Sequence, residues 1–184
     1  DYTVLPNLIA WMWYNQKTQT YGGTDYTSYH SFTQTDWTYD YEDLESEILG
    51  QFIYASSYIY KDKAYPFILD ATDDAVDWLL QFQYTNASSD GYGGFYKYCN
   101  SGTMAGSLKD TYCGWILAGL SVYYSINGDA TVKIACDNLR RFLCNTLWDD
   151  TNDWFDKEFL VSTQTVTDNT AWSSMPNGAI MTGL

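Results

Sequence analysis

An all-α fold of antiparallel helical hairpins is what this sequence of 184 residues predicts. Three observations carry the prediction. Apolar residues recur at steps of three and four in four separate stretches, the spacing that builds one helical face. The connections between those stretches alternate between short and long. A unit made of a helix end, an aromatic and acidic loop, and an acidic helix start repeats along the chain.

The first helix reads as residues 43–60, with Leu44, Ile48, Phe52, Ala55 and Ile59 on its apolar face. The second, 67–83, places Ile68, Ala71, Ala75, Trp78, Leu79 and Phe82 on one side. The third, 109–126, does the same with Cys113, Ile116, Leu117, Leu120 and Tyr124. In the fourth, 130–148, the face is Val132, Ala135, Cys136, Leu139 and Leu143. Residues 4–13 read as the end of a fifth helix and 169–184 as the opening of a sixth. Asp43, Asp110 and Asp168 read as helix-start caps, because a short carboxylate accepts from the orphan N–H groups of a first turn. Residues 61–66 and 127–129 are short turns, whereas 14–42, 84–108 and 149–168 are long. Helices joined by short turns are antiparallel neighbours, so every long loop leaves the same end of the stack.

Composition narrows the function classes. The chain carries 23 acidic against 9 basic residues, a net charge of -14. Nucleic acid and anionic membrane surfaces are repelled by such a field. A hydrophobic content of 46% excludes disorder, and no apolar run reaches the ~20 residues of a membrane span, so no membrane insertion is expected. Aromatic residues reach 18%, with 18 Tyr and 8 Trp. The first residue is Asp1, without a basic-then-apolar leader, so the chain is expected to be processed or trimmed. Tyr, Thr, Ser and Asn stand where cytosolic proteins carry Lys and Glu. Together with the N-glycosylation acceptor pattern Asn86-Ala87-Ser88, they give the expectation of a secreted or extracellular protein.

The repeat is legible in the residues themselves. Trp13-Tyr14, followed by Tyr21-Gly22-Gly23-Thr24-Asp25-Tyr26, recurs as the segment 78–83 followed by Asp90-Gly91-Tyr92-Gly93-Gly94-Phe95-Tyr96. It recurs again, without glycines, as Leu147-Trp148-Asp149-Asp150 and then Asp153-Trp154-Phe155. With Leu117-Ala118-Gly119-Leu120 and the segment 177–184, this pattern resembles the (α/α) toroid superfamily. Six-hairpin glycosidases and the prenyltransferase–squalene cyclase repeats share that architecture. The resemblance implies one toroid-like domain over 1–184, incomplete at its C-terminal end and amounting to about half a ring. It also implies a partner, either the missing half of the toroid or other copies of the chain.

In toroid enzymes of the carbohydrate-active kind, the long loops form a funnel whose aromatics stack on sugars and whose paired carboxylates act on the glycosidic bond. Here the first loop carries Tyr21, Tyr26, His30, Trp37 and Tyr39 among Asp25, Asp36 and Asp40. The resemblance therefore gives Asp90 and Asp153 as leading catalytic candidates, since both head the loop motif at matching repeat positions. Asp36 and Asp40 come next. Tyr92, Phe95, Tyr96, Trp154, Trp37 and His30 are the candidate sugar-binding residues. An Asp before glycines is equally a turn former, and His30, the one histidine, equally a hydrogen-bonding loop residue. A single histidine also excludes a multi-histidine zinc site.

Two acidic runs bear on metals. Asp73-Asp74-Ala75-Val76-Asp77 matches the DDxxD pattern of prenyl-diphosphate enzymes, but it alternates with an apolar face and reads better as solvated helix. Asp149, Asp150 and Asp153 would suit calcium, although the glycine and closing Glu of an EF-hand are missing. No cofactor is otherwise expected. Of the four cysteines, Cys113 and Cys144 are equidistant from the Gly128-Asp129 turn, which favours a disulfide across the hairpin. Cys99 competes for either partner, while Cys136 and Cys144 on one helix are about 12 Å apart, too far to bond. Reduced, buried thiols are the alternative.

Three functions follow as expectations. The first is a glycoside hydrolase-like enzyme acting on extracellular poly- or oligosaccharide. The second is a non-catalytic surface-layer, filament or adhesion subunit whose aromatic loops make protein contacts. The third is a terpenoid or prenyl cyclase-like toroid.

Overall fold

The computed structural model describes residues 17–28, 43–100, 102–151, 153–156 and 158–167. Among them are four α-helices: α1 (Ser46–Lys63), α2 (Pro66–Leu80), α3 (Asp110–Asn127) and α4 (Ala130–Phe142). They form two antiparallel hairpins, as the alternating connections predict. The expected fifth and sixth helices, and Asp168, lie outside the described residues. None of the described helices is long and apolar enough to cross a membrane.

Local chemistry fixes the helix ends. Ala64 takes a left-handed φ of 51° and its N–H donates to the Tyr60 carbonyl at 2.7 Å, which closes α1. Lys61 and Lys63 in the last turn complement the helix dipole. Pro66, with no N–H to satisfy, occupies the first turn of α2. Asp129 caps α4 by accepting from the Thr131 N–H at 2.7 Å. Asp43 does not cap α1. It belongs to a short strand, β3 (Asp43–Glu45), and the helix begins at Ser46, whose N–H donates to the Lys97 carbonyl at 3.0 Å.

The apolar face expected over 67–83 is completely buried, Ile68, Ala71, Ala75, Trp78 and Leu79 on α2 and Phe82 in the turn after it, since the helix ends at Leu80. In α1 the buried face is rotated from the expected one. Leu49, Phe52, Ile53, Ser56 and Ser57 point inward, while Ala55 is exposed. The cause is a backbone contact with α3. A Cβ on Gly119 would come within 2.4 Å of the Gly50 carbonyl oxygen, and one on Gly50 within 2.8 Å of the Ile116 nitrogen. Two glycines let α1 and α3 touch main chain to main chain, and that contact sets the roll of α1. α3 buries residues on most of its circumference, whereas α4 buries only Val132, Ala135, Leu139 and Phe142 on one stripe. α3 therefore lies inside and α4 outside.

Short strands occupy the long connections. β1 (Lys17–Tyr21) and β2 (Thr24–Ser28) form a hairpin through Gly22 and Gly23, both at positive φ. β3 pairs with β4 (Tyr98–Asn100), which pairs with β5 (Thr103–Met104). β6 (Ser107–Lys109) and β10 (Thr165–Thr167) flank β9 (Glu158–Leu160), with Leu108 opposite Phe159. β7 (Trp148–Asp149) pairs with β8 (Trp154–Phe155).

The Cys113–Cys144 disulfide is not made. Cys113 is buried, Cys144 is exposed, and none of the four cysteines is in a disulfide. Equal distance from a turn fixes the height of two residues along a helix pair but not their angle about each axis. Moreover, α4 gives way after Phe142 to a π-helical turn, Leu143–Leu147, which changes the angular phase before Cys144 can face its partner.

Candidate functional site

The loop between α2 and β4 builds the centre of the long-loop end. It doubles back on itself: the Tyr84 N–H donates to the Gly94 carbonyl at 2.8 Å, and the Gly93 N–H donates to the Tyr84 carbonyl at 2.9 Å. Glycines press it onto the core. Gly93, at φ 93°, leaves no room for a Cβ, which would come within 2.4 Å of the Asn138 carbonyl oxygen in α4. Gly91 and Gly94 meet the rings of Phe159 and Phe142 in the same way. Gln83 locks the assembly from one side, its amide donating to the carbonyls of Gly93 at 3.1 Å and Ala135 at 3.0 Å.

Two clefts flank this loop. The first, about 500 Å³, lies between the loop, the end of α4 and the β9–β10 ribbon. Ser88, Asp90, Tyr92, Arg141, Asn145, Thr146 and Gln164 line it. Thr146 Oγ1 donates to the Asp90 carbonyl at 2.6 Å, tying the loop to the π-helical turn. Asn138 Nδ2 donates to the Tyr92 hydroxyl at 3.2 Å. Ser89 donates to Gln164 Oε1 and accepts from the Gly91 N–H at 3.1 Å. The cleft presents hydroxyls, amides, one carboxylate and one guanidinium, a set suited to hydrogen-bonding a polyhydroxylated ligand.

The second cleft, about 580 Å³, lies on the other flank, against the β1–β2 hairpin. Tyr21, Tyr84 and Tyr96 line it together with Leu80, Gln81, Thr85 and Asn86. The Tyr84 and Tyr96 rings meet edge to face at 5.7 Å. Their phenols are driven apart electrostatically. Hydrogen bonding from Asn86, at 3.3 Å, then from Ser89, holds Tyr84 below the usual tyrosine range. Burial, helped by the neighbouring phenols, pushes Tyr96 above it.

The expected site residues separate. Asp90 and Tyr92 reach the first cleft and Tyr96 the second. Phe95 reaches neither: it is completely buried in the core and offers no face to a ligand. The chain is extended there, so successive side chains alternate, Phe95 inward and Tyr96 outward. Asp153 sits exposed at φ 56° in the β7–β8 turn, away from the residues that line either cleft. Its N–H donates to the Asp149 carbonyl at 2.9 Å. Trp154 is half-buried beside it in β8. Asn86 is exposed, as an acceptor asparagine must be, and its Oδ1 accepts from the Ser88 N–H and hydroxyl. Asp36, Asp40, Trp37 and His30 lie outside the described residues.

The acidic runs have structural partners. Asp149 accepts from the Thr151 N–H and Asp150 from the Trp148 indole, each at 2.7 Å. Asp73 accepts from the Tyr123 hydroxyl at 2.7 Å, while Asp74 and Asp77 are exposed on α2. Partial loss of solvent around the Asp74 and Asp77 carboxyls, then repulsion from neighbouring carboxylates, Asp73 among them, raises both above the usual range. Among the described residues, no three His, Cys, Asp or Glu side chains converge as a metal-holding group.

Sequence reasoning missed Arg141, Asn145, Thr146 and Gln164 in the first cleft, and Tyr84 and Gln81 in the second. One signal was available: Arg140 and Arg141 are the two arginines of a strongly acidic chain, placed side by side. The others are single polar residues on elements that meet only in three dimensions.

No family model matches this chain, and no curated protein matches it in sequence. Solved structures do match its fold. A GH76 alpha-mannanase from Bacteroides thetaiotaomicron gives a TM-score of 0.72 at 14% identity, covering 91% of this chain and 44% of that one. A sugar epimerase from a ruminal bacterium gives 0.71 at 14%, covering 95% and 44%. The cellobiose 2-epimerase of Spirochaeta thermophila gives 0.69 at 15%, covering 90% and 40%. At such identities the likeness is one of fold. The chain has the (α/α) toroid architecture as an arc of helical hairpins, spanning less than half the length of the solved structures it matches.

Proposed function

We propose that this chain is part of a carbohydrate-active toroid protein acting outside the cell, glycoside hydrolase-like, with sugar held in the first cleft. The observation that carries the reading is the lining of that cleft. Asp90 and Arg141 stand among Ser88, Asn145, Thr146 and Gln164, so donors and acceptors for sugar hydroxyls converge on one cleft. Hydrolysis of a glycoside uses two carboxyl groups, about 5–9.5 Å apart according to mechanism. Asp90 supplies one, and Asp36 or Asp40 of the first long loop is the proposed second. The exposed Asn86 pattern supports placement outside the cell.

The test uses α-mannan and cellobiose, the sugars named for two of the structures of like fold. Binding is followed by calorimetry, and turnover by new reducing ends or by epimer signals in NMR. Binding that Arg141→Gln weakens, with turnover that Asp90→Asn abolishes, supports the enzyme. Binding without turnover leaves a lectin-like arc. Absence of any binding removes the proposal.

A second reading, a non-catalytic subunit using aromatics for protein contacts, is favoured by the exposed Tyr58, Tyr65 and Phe67. Concentration-dependent association in sedimentation, abolished by Tyr58→Ser, would support it.

A further inference from the structure

We infer that the second cleft is a separate glycan-binding site, specific for a neutral sugar and independent of the site that holds Asp90. The inference rests on the sugar-binding reading of the long-loop end.

The chemistry of the lining argues for this ligand. Tyr21, Tyr84 and Tyr96 bring three phenols to one cavity, and Gln81, Thr85 and Asn86 add amides and a hydroxyl. A pyranose ring has C–H faces that pack on aromatic rings and a rim of hydroxyls that needs donors and acceptors. Amphipathic tyrosines and neutral amides meet both needs together. No charged side chain is among the described residues that line this cleft. A carboxylated or sulfated sugar would find no cation there and would meet the field of a chain carrying -14. Neutrality is thus a property of the site, in contrast to the first cleft with Asp90 and Arg141.

The site is also built rigidly. Tyr96 is fixed by its N–H, which donates to the Phe82 carbonyl at 2.9 Å, and by the edge-to-face contact with Tyr84. Tyr21 leans on the buried Trp78, with ring centroids 6.0 Å apart. Asn86 lines this cleft and Ser88 the first, and the Ser88 hydroxyl, donating to Asn86 Oδ1 at 2.7 Å, fixes the boundary between them.

The test is calorimetric titration of the 184-residue chain, made without glycosylation, with cellobiose and mannobiose and with a glucuronate disaccharide as the charged probe. Saturation-transfer NMR on the same samples reports contact with tyrosine ring protons. Two classes of neutral-sugar site are expected. Tyr96→Leu should weaken one class by about tenfold, the effect of losing a central aromatic contact, and leave the other. Gln81→Ala, which keeps all the aromatic packing, should weaken the same class more mildly. Arg141→Gln should affect only the other class, and the glucuronate should bind no Tyr96-dependent site. Sugar binding that is lost with Arg141→Gln and unchanged in both Tyr96→Leu and Gln81→Ala overturns the second site while leaving the first intact. Absence of binding in the parent chain overturns both readings.

Discussion

The two clefts share one wall, and they differ in the chemistry that they present. On one side, the loop turns Ser88, Asp90 and Tyr92 toward a charged and hydroxyl-rich space closed by the end of α4. On the other, it turns Tyr84, Asn86 and Tyr96 toward an uncharged aromatic space closed by the β1–β2 hairpin. A single doubled-back loop can do this because its first residues, 84–86, line one cleft and the next, 87–90, the other, while its glycines carry the packing. The Gly-Gly pairs of the repeat make the same point in reverse. Gly22 and Gly23 have open space around them and serve only to turn a hairpin, whereas Gly93 and Gly94 are pressed against α4 and the core. The same dipeptide at matching repeat positions performs two different tasks.

The sharpest way to break the comparison is to move the shared wall. Gly93→Ala places a Cβ within 2.4 Å of a backbone carbonyl at a φ that L-residues avoid. It should cost about 3 kcal/mol or more in urea unfolding and abolish binding in both clefts together. Retention of either cleft would show that the wall is not shared. Gln83→Leu removes the donor to two carbonyls and should cost about 2 kcal/mol, read as a lower thermal midpoint, with both clefts weakened and the second, which Gln83 itself lines, the more. Thr146→Val should be more selective. Loss of its 2.6 Å bond to the Asp90 carbonyl is expected to cost about 1 kcal/mol, loosening the first cleft and sparing the second.

The smallest effect concerns the two tyrosines. Tyr84 ionises below the ordinary tyrosine value near 10 and Tyr96 above it. The Tyr84 contribution to stability is present above the unfolded value and lost as pH falls through its folded value. The Tyr96 contribution is present below the unfolded value and lost as pH rises through its folded one. Tyrosinate absorbance should therefore show a shoulder on the acid side that disappears in Tyr84→Phe and moves to higher pH in Asn86→Ala. A shoulder that survives Tyr84→Phe would refute the assignment.

How much of this could be read from sequence depended on the range of the interaction. The face of α2 was legible to the residue because local periodicity alone determines it. The roll of α1 was not, since Gly50 takes its meaning from Gly119, far along the chain. The short strands escaped because two or three residues show no period, and Leu108 opposite Phe159 is a long-range pairing. Asp90, singled out by its repeat position, lines the first cleft, whereas Phe95, singled out in the same way, is buried in the core, because the motif marks the loop without saying which way each ring points. Thr146 and Gln164 left no trace, as each is one polar residue among many until the fold assembles them.

The glycine contact between α1 and α3 has a geometric consequence. It sets the least distance at which two inner helices can stand, and hence the angle through which the wall turns from one hairpin to the next. A toroid closes only when those angles sum to a full circle. A side chain at Gly50 or Gly119 would therefore do more than disturb a local contact. It would push the two helices apart and change the angle between one hairpin and the next.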